Sequence, residues 1–159
     1  MRPPRSRRVL RLLWVSHRFW WRISDGRIGA RAAGLPVLEL ITHGRRSGRQ
    51  RSVLLNFVPH RDGFVVVASN AGSERPPAWW LNLQSEPSAL VRRDGREYQA
   101  RARELFGDER DDLFRAFVRR NRAYARYAET AGRPIPVVLL QVVMTAMDRS
   151  PAGLVPEPA

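Results

Sequence analysis

The chain contains no cysteine, no lysine and no long apolar run. The lack of cysteine excludes disulfides, thiolate catalysis and cysteine metal sites, and it is compatible with a reducing cytoplasm. A membrane-spanning helix needs about 20 apolar residues, and no segment approaches that length. All 28 basic residues are therefore arginines, and the formal net charge is +13 over 159 residues. This charge predicts attraction to a negative partner such as nucleic acid, anionic lipid or an acidic cofactor.

The length suits one domain with a substantial core, and three parts of the chain differ in composition. Residues 1–33 are basic and aromatic, and residues 34–143 carry the strand and helix patterns of a folded body. Residues 144–159 hold three prolines and little apolar periodicity. We expect this last part to be a loose C-terminal tail.

The leader, residues 1–33, has the pattern of a basic amphipathic helix. The apolar residues that can share one helical face are Val9, Leu12, Leu13, Phe19, Trp20 and Ile23. Arg11 interrupts the apolar run and no small-residue cleavage site follows, so we expect no secretory signal. Such a helix can lie on an anionic membrane surface, or it can cover the open side of the folded body.

The body is predicted to be mainly β-structure. Six runs have the length and composition of strands, at residues 35–42, 52–58, 64–69, 89–93, 96–105 and 136–143. Asp-Gly pairs at residues 62–63 and 94–95 predict hairpin turns. The last run is continuously apolar, which predicts a central strand.

Two helices are predicted between these strands. Residues 77–84 form a short one, because Pro76 and Pro77 suit a first helical turn. Residues 108–128 form one long helix, with acidic residues in its first turn and Gly132 beyond its end. Six antiparallel-leaning strands with few helices predict a small β-barrel.

Residues 44–51, with the sequence GRRSGRQR, form the most informative segment. Two glycines allow a turn whose backbone N–H groups converge, and four arginines add planar forks that fit phosphate or carboxylate. A hairpin turn does not need four mutually repelling cations. We therefore interpret the segment as an anion-binding loop, the alternative being a solvated hairpin tip.

Three further segments carry candidate site residues. Residues 68–72 are small and follow a buried strand, so a flat ring can approach their backbone, and Ser69 adds a hydroxyl. Residues 77–83 hold adjacent tryptophans about 100° apart on a helix, so only one is expected to enter the core easily. Tyr124 and Tyr127 share a helical face and can present hydroxyls as proton donors. By itself, each segment is also compatible with an ordinary turn or with core packing.

Other classes of site have little support. The three histidines lack metal-site spacing, and we expect no metal. The glycine-arginine loop is not a phosphate-binding Walker loop, and no dinucleotide fingerprint precedes a helix. No nucleic-acid motif accompanies the charge, so we expect no specific nucleic acid.

Taken in order, the segments at residues 42–51, 67–72, 77–83 and 135–138 resemble the deazaflavin (coenzyme F420)-dependent nitroreductase and F420H2-dependent quinone reductase family. These are actinobacterial split-barrel proteins, and the resemblance covers about residues 33–143. It implies a mainly β fold with flanking helices, a split β-barrel similar to flavin reductases. The implied cofactor is coenzyme F420, whose phosphate and oligoglutamate tail make it a polyanion, and flavin mononucleotide is the less favoured alternative.

The resemblance also implies roles for individual residues. The residues implied to bind the cofactor are Arg45, Arg46, Ser47, Gly48, Arg51, Ala68, Ser69, Asn70, Ala78, Trp79 and Asn82. The arginines would hold the phosphate and tail, while Ser69, Asn70, Trp79 and Asn82 would lie around the ring. Tyr124 and Tyr127 match tyrosines that line the substrate side in similar proteins. The candidate catalytic residues are Tyr127, Tyr124 and Ser69, whose hydroxyls can hydrogen-bond the acceptor oxygen.

Three asparagines depart from the family pattern. Asn70 replaces a common lysine, Asn56 replaces a tyrosine and Asn121 replaces the first of three helical tyrosines. These departures affect the expected choice of acceptor more than the expected binding of the cofactor.

The predicted reaction is hydride transfer from reduced deazaflavin to a small lipophilic, electron-poor acceptor such as a quinone or a nitro or enone compound. The alternative is a non-catalytic deazaflavin or flavin carrier. We expect a cytoplasmic protein that forms a homodimer by analogy, with peripheral contact to the inner face of the cell membrane if the leader binds lipid.

Overall fold

The computed structural model describes residues 34–143 and the backbone of residues 31 and 32. The predicted leader helix and the predicted tail from residue 144 lie outside the described residues. Within the described part, the chain has eight strands and three α-helices. None of those helices is long and apolar enough to cross a membrane.

The strands form a curled sheet, a split β-barrel, in which all neighbouring strands pair antiparallel. Their bounds are β1 (Arg31–Ala32), β2 (Leu35–His43), β3 (Gln50–Asn56), β4 (Val58–His60), β5 (Gly63–Val67), β6 (Ser88–Arg93), β7 (Arg96–Glu104) and β8 (Val137–Val142). The order is β1-β2-β6-β7-β8-β5-β4, and β3 also pairs with β2. The predicted mainly β split-barrel fold is therefore confirmed.

Local sequence signals account for much of this topology. Asp94 and Gly95 have φ angles of 51° and 72°, as a two-residue hairpin turn requires, and they join β6 to β7. The predicted strand at residues 52–58 changes partner at the buried Phe57, since β3 pairs with β2 whereas β4 pairs with β5. The chain can thus cross from one half of the barrel to the other.

Three helices flank the sheet: α1 (Ala78–Ser85), α2 (Gly107–Arg120) and α3 (Ala123–Thr130). In place of the single helix predicted for residues 108–128, α2 ends before Asn121, whose backbone is extended at φ −150° and ψ 105°. The Asn121 side-chain oxygen accepts a hydrogen bond from the Ala123 N–H at 3.0 Å. Asparagine side chains commonly bond to nearby backbone groups in this way, and here the bond precedes the first turn of α3.

The core has two large parts, one on each side of β5 and β8. Val138 and Leu140 pack with α1 inside the barrel, while Val137 and Leu139 pack with α2 and α3. The strand β8 pairs with β5 and β7, which confirms the predicted central position. A strand buried on both faces explains the continuous apolar run.

Candidate functional site

A cleft of about 740 Å³ lies beside β3 and collects segments that are distant in the chain. The predicted site residues that line it are Arg45, Arg46, Ser47, Arg51, Ser69, Asn70, Ala78, Trp79, Asn82, Tyr124 and Tyr127. Gly48 and Ala68 are not in the lining. Gly48 turns the arginine loop at φ 64°, and Ala68 is fully buried in the core. The structure thus brings most of the predicted residues together, while their roles in binding stay predictions.

The predicted anion-binding segment, residues 44–51, comprises a loop and the first two residues of β3. The loop, residues 44–49, closes the hairpin between β2 and β3 and is called the arginine loop. The Gly44 N–H donates to the Arg49 carbonyl at 2.8 Å, and the Gly48 N–H donates to the Gly44 carbonyl at 2.7 Å. Within residues 34–143, Arg45, Arg46 and Arg51 form no ion pair with a carboxylate. One end of the cleft therefore carries positive charge that the described fold leaves unneutralised.

Asn82 has a structural role that the sequence did not reveal. Its side-chain oxygen accepts hydrogen bonds from the Arg45 backbone N–H at 3.2 Å and from the Arg45 guanidinium at 3.3 Å. Its side-chain nitrogen donates to the Thr42 hydroxyl at 3.1 Å. Because Asn82 and Thr42 are both buried, this network ties α1 to the base of the arginine loop.

The segment after β5 adopts an uncommon backbone. Asn70, Ala71 and Gly72 have φ angles of 47°, 52° and 77°, all in the left-handed region. The Asn70 side-chain nitrogen donates to the Arg75 carbonyl at 2.9 Å, which helps to hold this turn. Ser69 is 8% exposed, and its hydroxyl makes no hydrogen bond with any residue that the structure describes.

Two tyrosines of α3 form an aromatic wall of the cleft. The rings of Tyr124 and Tyr127 meet edge to face with centroids 5.6 Å apart, and Tyr124 also packs on Phe117. The Asn56 side-chain nitrogen donates to the Tyr124 hydroxyl at 3.4 Å. Burial is the main cause that raises the pKa of Tyr124, and Tyr127 adds to it, whereas the Asn56 bond opposes the shift. The Tyr124 hydroxyl therefore keeps its proton at neutral pH.

The adjacent tryptophans depart from the expectation that only one would enter the core easily. Trp79 and Trp80 are 7% and 6% exposed, and both belong to the cluster inside the barrel. Their rings splay at an interplanar angle of 68° with centroids 6.4 Å apart, so the short helix α1 can bury both. Trp79 also lines the cleft, so it serves the core and the candidate site together.

Sequence reasoning missed the residues that join the cleft walls to one another. The Thr130 hydroxyl lies 3.3 Å from the Gly72 carbonyl oxygen and 3.0 Å from the Arg126 carbonyl oxygen in its own helix. The end of α3 therefore contacts the turn after β5. Arg133, beyond the end of α3, donates to the Ser69 carbonyl at 3.2 Å. Its position between a glycine and a proline before β8 was the only local signal, and it did not indicate which carbonyls the side chain would reach.

Comparisons with known proteins show what this chain resembles in sequence and fold. The F420H(2)-dependent quinone reductase family matches residues 14–142. The F420H(2)-dependent quinone reductase Rv1261c of Mycobacterium tuberculosis is 32% identical over 124 residues, which are 76% of this chain and 83% of that protein.

Two solved structures share both the fold and a considerable part of the sequence. One is described as an F420-H2 dependent reductase, FDR-A, and is 32% identical with a TM-score of 0.59, over 65% of this chain and 91% of that chain. The other is described as a domain-swapped dimer and is 29% identical with a TM-score of 0.61, over 80% of this chain and 96% of that chain.

Proposed function

This chain belongs to the F420H(2)-dependent quinone reductase family, and we propose that it reduces a quinone with hydride supplied by reduced coenzyme F420. The family and its named relatives are reductases, so the chain is an F420H2-dependent oxidoreductase and the non-catalytic carrier is not favoured. Nitro and enone compounds are the wider acceptor class that the same chemistry would admit.

The residues of the cleft fit coenzyme F420. Arg45, Arg46 and Arg51 leave their charge unpaired among the described residues, and guanidinium forks match the phosphate and carboxylate groups of that cofactor. Ala78 and Trp79 offer a small side chain and an apolar wall for its flat ring. The cleft volume of about 740 Å³ is in the range of pockets that bury cofactors. When bound, the reduced deazaflavin supplies the hydride, which is the difficult part of the chemistry.

The protein's own contribution would be orientation and electrostatics. The hydroxyls of Tyr124, Tyr127 and Ser69 belong to cleft-lining segments that are separate from the arginine loop, and they can donate to an acceptor oxygen. Such donors stabilise negative charge that develops on that oxygen. The Tyr124 phenol is protonated at neutral pH, as its ordinary pKa of 10.0 requires, and burial raises that pKa further. The aromatic walls would exclude water from an acceptor that packs against them.

One observation carries the proposal: a single cleft joins two tyrosine side chains to arginines that pair with no carboxylate of residues 34–143. The test is a titration with oxidised F420 followed by tryptophan fluorescence, and then oxidation of F420H2 with menadione as the quinone. The variant Arg46→Ala/Arg51→Ala should lose micromolar binding. The charge-matched control Arg96→Ala/Arg119→Ala removes two exposed arginines outside the cleft and should bind normally. Absence of binding to the wild-type protein would reject the cofactor assignment.

Two accompanying proposals concern the oligomeric state and the location of the enzyme. The structure described as a domain-swapped dimer supports a homodimer for this chain, and sedimentation of the purified protein would test it. We place the enzyme in the cytoplasm. Contact of the leader with the membrane stays a prediction.

A further inference from the structure

Arg133 lies outside the lining of the cleft, and among the described residues its guanidinium donates only to backbone carbonyls. The bonds reach both ends of the turn at residues 69–73: Ala68 at 3.1 Å, Ser69 at 3.2 Å and Ser73 at 3.1 Å, with a longer contact to Arg75 at 3.5 Å and one to Pro134 at 3.2 Å. Arg133 pairs with no carboxylate of residues 34–143. Its charge is therefore used to gather carbonyl oxygens.

The turn that Arg133 holds is unfavourable by itself. Asn70 and Ala71 have φ angles of 47° and 52°, in the region that residues other than glycine rarely adopt. Such a backbone persists when surrounding contacts over-determine it. The Asn70 side chain and two backbone bonds within the turn supply some of these contacts, whereas Ala71 has no side-chain hydrogen bond to offer. The guanidinium can supply them because its donors form a rigid planar fork.

These hydrogen bonds also determine where the N–H groups of the same peptide units point. In a trans peptide the C=O and N–H groups point in opposite directions. The carbonyls of Ala68 and Ser69 face Arg133, so the N–H groups of Ser69 and Asn70 face away from it, and neither donates to a described residue. The Ser69 hydroxyl also forms no hydrogen bond with a described residue, and no buried unpaired side-chain atom occurs in the described part of the chain. Ser69 lines the cleft, which is the open space that its hydroxyl can reach.

We propose that Arg133 is a positioning residue, which holds the turn at residues 69–73 so that the Ser69 hydroxyl and the N–H groups of Ser69 and Asn70 face the cleft as hydrogen-bond donors. They would serve an oxygen atom of the bound ring or of its acceptor. The inference rests on the proposed function, since it deepens the description of the same cleft. It adds a residue that does not touch the ligand.

The first test needs no cofactor. Amide hydrogen exchange should be faster at Gly72 and Ser73 in Arg133→Ala than in the wild-type protein, because their N–H groups bond to the carbonyls of Ser69 and Asn70 within this turn. Millimolar guanidinium should restore part of the protection, and ammonium should not. The control Arg119→Ala removes an exposed arginine of α2 and should change neither amide. Unchanged exchange in Arg133→Ala would overturn the inference.

The second test uses F420 binding and turnover. Arg133→Lys keeps the charge but lacks the planar fork, so its F420 dissociation constant should rise by about tenfold. In Arg133→Ala, added guanidinium should restore part of the F420 affinity. Normal F420 affinity and turnover in both variants would overturn the positioning role while leaving the proposed function intact. If the wild-type protein itself binds no F420, the proposed function fails, and the hydrogen-exchange result alone decides whether Arg133 holds the turn.

Discussion

The side-chain oxygen of Asn82 accepts two hydrogen bonds from Arg45, one from its backbone N–H and one from its guanidinium. The two residues are 37 positions apart. Since Asn82 is also bonded to the buried Thr42, the helix α1 sets both the position of the arginine loop and the direction of one of its charges. The positive charge of the arginine loop is therefore joined to the barrel core through Asn82.

We predict that Asn82→Ala weakens F420 binding by about tenfold without removing any arginine. The substitution leaves the Thr42 hydroxyl and the Arg45 N–H without a partner, which costs about 1–3 kcal/mol of stability. Fluorescence titration and thermal melting would measure the two effects. Gln84→Ala changes an exposed residue of the same helix and should affect neither. Unaltered F420 affinity in Asn82→Ala would mean that the arginine loop does not need its bonds to α1 for F420 binding.

Tyr127→Phe is expected to lower kcat by about 100-fold, since it removes a donor to the acceptor oxygen. The F420 dissociation constant should stay nearly unchanged, because no bond within the described residues depends on the Tyr127 hydroxyl. Steady-state kinetics with menadione and a separate F420 titration check the two parts. The control Tyr98→Phe alters a tyrosine that packs on Phe64 outside the cleft. Full turnover in Tyr127→Phe would remove this hydroxyl from the mechanism.

Tyr124 should make stability depend on pH in the alkaline range. Burial raises its pKa above the ordinary value of 10.0, so the folded state holds the phenol proton more tightly than the unfolded state. The associated stability is fully present below pH 10.0 and is lost as pH rises through the folded-state pKa. Melting temperatures measured from neutral to strongly alkaline pH should therefore fall more steeply for the wild-type protein than for Tyr124→Phe. Parallel curves would contradict this assignment.

Gly72→Ala should be more destabilising than the positive φ angle alone explains. A Cβ at Gly72 would lie 2.3 Å from the Thr130 hydroxyl oxygen and 3.1 Å from the Tyr127 Cα. Gly95 has a similar φ of 72°, and a Cβ there would meet nothing within 4 Å, so Gly95→Ala isolates the backbone effect of about 1 kcal/mol. Denaturant melts should show an additional loss of about 1–3 kcal/mol for Gly72→Ala. Equal losses would mean that α3 can move away from the turn freely.

The leader provides a separate prediction about localisation. If it binds an anionic surface, the full chain should co-float with phosphatidylglycerol vesicles at low salt, since each arginine near the surface contributes about 1 kcal/mol. The variant Arg8→Glu/Arg11→Glu should float less, and neutral phosphatidylcholine vesicles are the lipid control. Failure to float at low salt would favour the alternative in which the leader covers the barrel.

Part of the fold could be predicted because its causes are local. The Asp94-Gly95 turn needs only two residues that tolerate positive φ, and an unbroken apolar run indicates β8. The break before α3 was missed because helical spacing continues across it. The helix is interrupted there, where the Asn121 side chain accepts a hydrogen bond from the Ala123 N–H two positions later.

The membership of the cleft could also be predicted largely from motifs, but the contacts within it could not. Both tryptophans of α1 were expected to compete for the core, yet the splay of their rings lets the barrel bury both. The importance of Arg133 depends on the carbonyls of Ala68 and Ser69, which are 65 and 64 positions away in the chain. No periodicity or composition encodes such a meeting.

By itself, the sequence determined the arginine-only charge, the strand and turn pattern, the family, and the side chains available for chemistry. These properties depend on residue types and on near neighbours. Only the tertiary structure decided that Asn82 would support Arg45, that Asn56 would bond to Tyr124 and that Arg133 would hold the turn after β5. The reason is physical: hydrogen bonds act over about 3 Å, so their partners are chosen by how the sheet curls and where the helices pack.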